Sequence, residues 1–314
     1  MNIPSVDLSK FTHGSAEEKA EFVQELGKAY EEVGFVAVKN HGIPDELIAD
    51  LYKYVQQFFS LPSDKKRSYE IPELAGQRGY TSFGKEHAKG SDAPDLKEFF
   101  QYGQIVPENH PLKPEYPDNV QVADIDRFND TFYKAYRAFE KSGKSLLQAI
   151  ALYLHLDEHY FDNYVEEGNS IVRAIHYPPI TQEPKSAIRA EQHEDINLIT
   201  LLVGASAGGL EILSKNNEWV GVTSLPDQIV VNVGDMLERL TNNKLKSTTH
   251  RVVNPPRDLW HTSRFSIPFF LHPKSAMSLA ALEECVDENH PKANDDITAG
   301  EYLDERLREI GLKK

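Results

Sequence analysis

The 314-residue chain contains one cysteine, Cys285. An intrachain disulfide, a thiolate-rich zinc site and an iron–sulfur cluster are thereby excluded. A lone thiol fits a reducing cytoplasm. Long hydrophobic runs are missing too: nothing approaches the roughly 18 apolar residues of a membrane-spanning helix. Residues 1–10 lack the charged segment and apolar core of a secretory signal. Basic residues are in deficit, 34 against 49 acidic ones, for a net charge of -15. Nucleic acid and anionic membrane surfaces attract the opposite balance, so neither is an expected partner. A small-molecule substrate is expected instead, with the chain a monomer or weak homodimer. With thiols so scarce, any tight transition-metal site must be built from imidazole and carboxylate, and twelve histidines are available.

Residues 1–118 alternate short strands with helices. Residues 3–8 have an apolar strand pattern. In 16–33, Phe22, Val23, Leu26, Ala29, Tyr30 and Val33 share one helical face, and Ser15 with Glu18 has capping-box spacing. Residues 35–38 read as a buried strand closed by Asn40-His41-Gly42, and Pro44 opens a helix to Phe59. Residues 70–118 are rich in Gly, Pro and charge and read as loop, apart from a strand at 98–103. A long supporting helix is expected at 120–154, within a segment 119–165. From 166 to 280, strand patterns recur at 170–177, 197–203, 210–213, 219–222, 229–233, 248–253, 264–271 and 277–279. One short helix near 236–240 interrupts them. Segment 281–314 carries a closing helix at 298–311. Short strands without intervening helices predict a mainly β protein with flanking helices, an antiparallel sandwich or barrel, with an N-terminal α/β layer.

Two H-x-D sequences occur, His155-Leu156-Asp157 and His193-Glu194-Asp195. The first falls at the end of the long helix, where Asp157 reads as a cap. The second opens the strand region, where positions i and i+2 share a face. His250, on a later strand, supplies a third donor. Two imidazoles and a carboxylate leave open positions on an octahedral ion, the pattern of non-haem Fe(II) oxygenases. On spacing alone, a metal triad and a set of hydrogen-bonded polar residues both remain open. Arg264-Phe265-Ser266 likewise places two polar side chains on one strand face, a receptor for a carboxylate or one half of an internal salt bridge.

Three stretches together resemble the isopenicillin N synthase-like family of Fe(II)/2-oxoglutarate-dependent dioxygenases. They are Val231-Asn232-Val233-Gly234-Asp235, Leu245 to Val252 with Thr249-His250-Arg251 at its centre, and Arg264-Phe265-Ser266-Ile267-Pro268-Phe269-Phe270. Gly34-Phe35, Asn40-His41-Gly42-Ile43, Arg78-Gly79-Tyr80 and Lys97-Glu98-Phe99 resemble the family's N-terminal region, so the similarity spans residues 2–280. It implies a double-stranded β-helix, or jelly roll, with its core in 166–280 and residues 1–118 covering the site. It implies His193, Asp195 and His250 as iron ligands and catalytic centre. It implies Arg264 and Ser266 as holders of the distal carboxylate of 2-oxoglutarate, assisted by Tyr177. Where many plant members have asparagine two residues before that tyrosine, this chain has Ile175. The interval from His250 to Arg264 is longer than in those members, so 254–261 is expected to be an enlarged hairpin loop. The implied reaction consumes 2-oxoglutarate and dioxygen, releases succinate and carbon dioxide, and oxidises, most simply hydroxylates, an unactivated C–H bond.

For the substrate, Arg173 shares a strand face with Tyr177 and is expected to meet an acidic group. Arg78 and Tyr80 are expected in a loop over the site, and Phe99 in its wall. Leu198, Val233, Ile267 and Phe269 are expected as apolar walls. Two alternatives accompany this reading. One is an oxidase that uses Fe(II) and oxygen without 2-oxoglutarate, with Arg264 and Ser266 binding a substrate carboxylate. The other is a non-catalytic jelly-roll binding module. His155 to His159 also spells H-x-x-E-H, a zinc-peptidase pattern that requires one continuous helix. Gly204 to Gly209 reads as a hairpin turn.

Overall fold

A computed structural model describes residues 3–86, 95–184, 186–204, 206–223 and 227–309. Strand β1 (Ser5–Asp7) runs into a short helix α1 (Leu8–Thr12), which begins where Asp7 accepts a hydrogen bond from the Ser9 N–H. Helix α2 (Ala16–Glu32) starts at the expected capping box of Ser15 and Glu18. It ends before Gly34, whose φ of +74° and 2.3 Å approach of a Cβ position to the Lys246 carbonyl exclude other residues. Strand β2 (Phe35–Lys39) and helix α3 (Asp45–Phe59) follow, with Pro44 as the N-cap of α3. A one-turn helix α4 (Ser63–Arg67) leads to β3 (Gly79–Thr81) and β4 (Glu98–Gly103). Strand β3 lies in sequence that reads as loop; three residues are too few for a period to show.

The long helix α5 spans Phe128–Tyr153, eight residues shorter at its start than expected. Arg127 has a left-handed φ of 63°, and the Asn129 side chain binds both the N–H and the C=O of Val122, holding the preceding segment in a turn. After α6 (Asp162–Val165) come β5 (Ile171–Tyr177), β6 (Ala190–His193), β7 (Ile199–Val203), β8 (Leu210–Leu213), β9 (Trp219–Gly221) and β10 (Gln228–Val233). Helix α7 (Asp235–Leu240), β11 (His250–Val252), β12 (Arg264–Leu271) and α8 (Ala299–Glu309) complete the order. Residues 277–279 form only a single bridge, Ser278 to Thr298.

The strands build two facing sheets. One has eight strands in the order β1-β2-β10-β7-β12-β5-β4-β3, the other four in the order β6-β11-β8-β9, and all pairs but β1–β2 are antiparallel. This is a jelly roll with helices on one side. Strand parity divides the large sheet. Val36, Val172, Leu201, Val231, Ile267 and Phe269 face α2, α3 and α5 in the main core, where Phe269 stacks on Phe139 with ring centres 5.4 Å apart. Their neighbours in sequence face the small sheet. The two connections expected as hairpins are not hairpins. Residues 204–209 join β7 to β8 and residues 253–263 join β11 to β12, and each pair is split between the two sheets.

Candidate functional site

A cavity of about 410 Å³ opens between the sheets. Its floor holds His193, Asp195 and His250, whose donor atoms lie within 4.8 Å of one another. His193 ends β6 and pairs in register with His250 of β11. Asp195 does not share a strand with His193, contrary to the i, i+2 expectation. It sits in the turn that follows, where its carbonyl accepts the Asp235 N–H at 2.7 Å. Gly234 permits that approach, since a Cβ there would come within 2.3 Å of the Asn197 carbonyl.

The local hydrogen bonds aim all three donors. His193 Nδ1 lies 2.7 Å from the Glu191 carbonyl and His250 Nδ1 lies 3.0 Å from that of Thr248. A carbonyl only accepts, so each Nδ1 carries the proton and each Nε2 lone pair is left for a metal. These Nε2 atoms lie 4.0 and 3.7 Å from Asp195 Oδ1. The other oxygen, Oδ2, accepts from Thr200 Oγ1 at 2.6 Å and Asn232 Nδ2 at 2.9 Å. Burial works against the Asp195 charge, but His250, His193 and these two hydrogen bonds outweigh it and hold the carboxyl below its ordinary pKa. Desolvation, then the neighbouring His250, push His193 below its ordinary value. Two imidazoles with free Nε2 atoms and one carboxylate, with no other ligand converging among the described residues, fit a divalent iron with open positions.

Strand β12 supplies the next part. Arg264 and Ser266 pair with Tyr177 and Ile175 of β5, and all four line the cavity. Arg264 is 1% exposed, donates Nε to the carbonyls of Ala207 and Gly208 at 3.1 Å each, and leaves Nη1 buried without a partner among the described residues. A buried guanidinium with an unused donor is a seat for a carboxylate.

Arg173 also lines the cavity, four residues from Tyr177. Its guanidinium lies 4.4 Å from the Phe99 ring centre and 5.3 Å from that of Phe270. Nε donates to Gln101 at 2.7 Å and Nη1 reaches Glu86 at 3.3 Å. Lys97 bridges Glu86 and Asp95 at 2.7 and 2.8 Å. Burial opposes the Glu86 charge, but Lys97 and Arg173 prevail and bring its pKa to about 2.

Other expected positions lie elsewhere. Arg78 does not reach the cavity. It is 1% exposed, with its guanidinium against Gly103, because β3 pairs at the far edge of the large sheet. Tyr80 turns into the helical core beside Phe58 and binds Glu98. Phe99 packs beside Ile175 and Tyr177 and against the Arg173 guanidinium, next to the residues that line the cavity. Leu198, Val233, Ile267 and Phe269 belong to the helical core, by the parity that points Asn232, Ser266 and Phe270 into the cavity. His155 lies beyond the end of α5 with a φ of 62°, so no continuous helix carries H-x-x-E-H.

Sequence reading missed six contributors. Thr200 and Asn232 are single polar residues inside apolar strands, a signal that was available. His272 continues the inward parity of Arg264 and Ser266; it is 8% exposed, and its Nδ1 is buried without a partner among the described residues. Burial holds its pKa down, to about 4. Leu303, Arg306 and Leu307 of α8 close one side of the cavity, which no local pattern foretells.

Known proteins resemble the chain along its length. Residues 3–124 match the model of the non-haem dioxygenase in morphine synthesis N-terminal region, and residues 168–273 that of the 2OG-Fe(II) oxygenase superfamily. The 2-oxoglutarate-Fe(II) type oxidoreductase ppzD of Metarhizium rileyi is 32% identical over 97% of this chain and 90% of its own. Proline hydroxylase buaE of Petromyces alliaceus is 32% identical over 98% and 99%. A 2OG-Fe(II) oxygenase family structure from Caulobacter crescentus superposes with a TM-score of 0.89, at 40% identity over 98% of this chain and 99% of its own. A full-length Neurospora crassa protein, solved in complex with alpha-KG and thymine, gives 0.85 at 30% identity over 98% and 96%.

Proposed function

The chain belongs to the 2OG-Fe(II) oxygenase superfamily, and on that premise we propose which residues carry its dioxygenase reaction and what kind of substrate it takes. The protein is a 2-oxoglutarate-dependent dioxygenase. When bound, Fe(II) with 2-oxoglutarate and dioxygen would supply the oxidising power to break a C–H bond, with succinate and carbon dioxide as coproducts. In our reading His193, Asp195 and His250 hold the iron. Arg264 and Ser266 hold the distal carboxylate of 2-oxoglutarate, with Tyr177 beside them. The observation that carries this is the convergence of three donors, each aimed by its own hydrogen bond, next to a buried guanidinium with a free N–H.

The substrate we propose is a small polar molecule bearing an acidic or carbonyl-rich group. Arg173 and His272 both line the cavity, and neither Arg173 Nη2 nor His272 Nδ1 is hydrogen-bonded to a described residue. The named relatives support this size and polarity: one is called a proline hydroxylase and another was solved with thymine. Hydroxylation is the proposed outcome. No described helix is long and apolar enough to cross a membrane; a cytoplasmic setting remains our reading of the lone, buried Cys285.

The test is an anaerobic titration of the Fe(II) protein with 2-oxoglutarate. A visible charge-transfer band is expected, and it disappears in His193→Ala. Absence of the band in folded, iron-loaded protein would remove the cosubstrate assignment. A metabolite panel scored by succinate release then identifies substrates, and Arg173→Ala is expected to raise the KM of acidic hits selectively.

A further inference from the structure

The end of the cavity that faces Tyr177 carries more positive charge than Arg264 supplies. Arg189 immediately precedes β6 and is 2% exposed. The guanidinium carbons of Arg264 and Arg189 lie 5.0 and 6.0 Å from the centre of the same Tyr177 ring. Arg264 lines the cavity, whereas Arg189 does not. Arg189 Nη2 donates to the Thr262 carbonyl at 3.0 Å, and its Nε is buried without a partner among the described residues. Neither arginine forms an ion pair with a described carboxylate; their hydrogen-bond partners are neutral backbone oxygens.

Two buried guanidiniums beside one tyrosine ring, with only neutral acceptors among the described residues, leave positive charge uncompensated. A protein interior accepts that at high cost unless an anion arrives. Burial and then the neighbouring Arg264 charge hold the Arg189 pKa below its ordinary value, and Tyr177 acts in the opposite sense. An anion seated at Arg264 relieves both charges at once, because buried charges interact over several ångströms with little screening.

We propose that Arg189 is a positioning residue of the cosubstrate site, strengthening retention of the distal carboxylate of 2-oxoglutarate through its field and its packing on Tyr177, without touching the ligand. This rests on the assignment of Arg264 and Ser266 to that carboxylate. It predicts a specific dependence: Arg189 matters for ligands that carry a distal carboxylate and not for ligands that lack one.

Isothermal titration of Mn(II)-loaded protein with 2-oxoglutarate and with 2-oxovalerate, which lacks the distal carboxylate, separates the cases. Arg189→Met is expected to raise the Kd of 2-oxoglutarate about tenfold, leave that of 2-oxovalerate unchanged, and be largely rescued by Arg189→Lys. Equal weakening of both ligands assigns Arg189 a purely structural role and overturns the proposal. Unchanged binding of 2-oxoglutarate by Arg189→Met overturns it too. If the unmutated protein itself fails to prefer 2-oxoglutarate over 2-oxovalerate, the assignment of Arg264 falls, and the role of Arg189 falls with it.

Discussion

A carboxylate and two imidazoles become a metal site only when their lone pairs are aimed, and here the aiming is done by neighbours that bind no metal. Asp195 turns Oδ1 toward the histidines because Thr200 and Asn232 hold Oδ2. Both are buried, at 3% and 4% exposure, so no water replaces them readily. Removing either leaves the carboxylate freer to rotate and more costly to keep charged. Asn232→Ala and Thr200→Val are therefore expected to weaken Co(II) or Fe(II) affinity by about 10- to 100-fold while the fold persists. Competition titration with a chelating dye measures this, and unaltered affinity in both variants would refute the orienting role. Arg173 illustrates the same dependence on neighbours. Its place on the inward face of β5 was legible from its spacing to Tyr177. Its partners Gln101 and Glu86 were not, because they are 72 and 87 residues away in sequence.

At the scale of elements, strand parity separates what the sequence revealed from what it concealed. The bounds of β4, β8 and β12 follow directly from their apolar patterns. Which face of each strand looks inward does not, because the large sheet is buried on both faces and hydrophobicity does not distinguish them. That is why Ile267 and Phe269 read as cavity walls although they pack on α5, and why Asn232 passed without notice. The motif residues escaped this ambiguity, since Arg264 and Ser266 are polar on one face only. Helix α7 presents a different case. Glu238 is half-buried on it, accepting the Ser247 N–H at 3.1 Å. Burial raises its pKa to about 7, the Ser247 bond opposing and Glu194 reinforcing the shift. The folded protein thus keeps a proton that the unfolded chain releases from its ordinary value of 4.5 upward. Stability falls as pH rises through that window. Glu238→Gln retains an acceptor for Ser247 without the charge. Its Tm is expected to exceed that of the parent at pH 8 and to match it near pH 4.5. A lower Tm at pH 8 would show that the charged form is stabilised instead.

Across the whole molecule, two electrostatic scales oppose each other. The net charge of -15 surrounds the protein with a field that repels a dianion such as 2-oxoglutarate. At the proposed seat, Arg264 and Arg189 are almost fully buried, so their attraction operates at short range and is little affected by salt. On the proposed reading the acidic surface thus slows the approach of the cosubstrate, while the two arginines govern its retention. Raising salt shortens the reach of the outer field, from about 30 Å at 0.01 M to about 8 Å at 0.15 M. The association rate of 2-oxoglutarate with anaerobic Fe(II) protein, followed by stopped flow, is expected to rise over that range, with a smaller change in the dissociation rate. An association rate that falls with salt would mean that the cationic end of the cavity steers ligands from outside, and that the surface charge has no part in their capture.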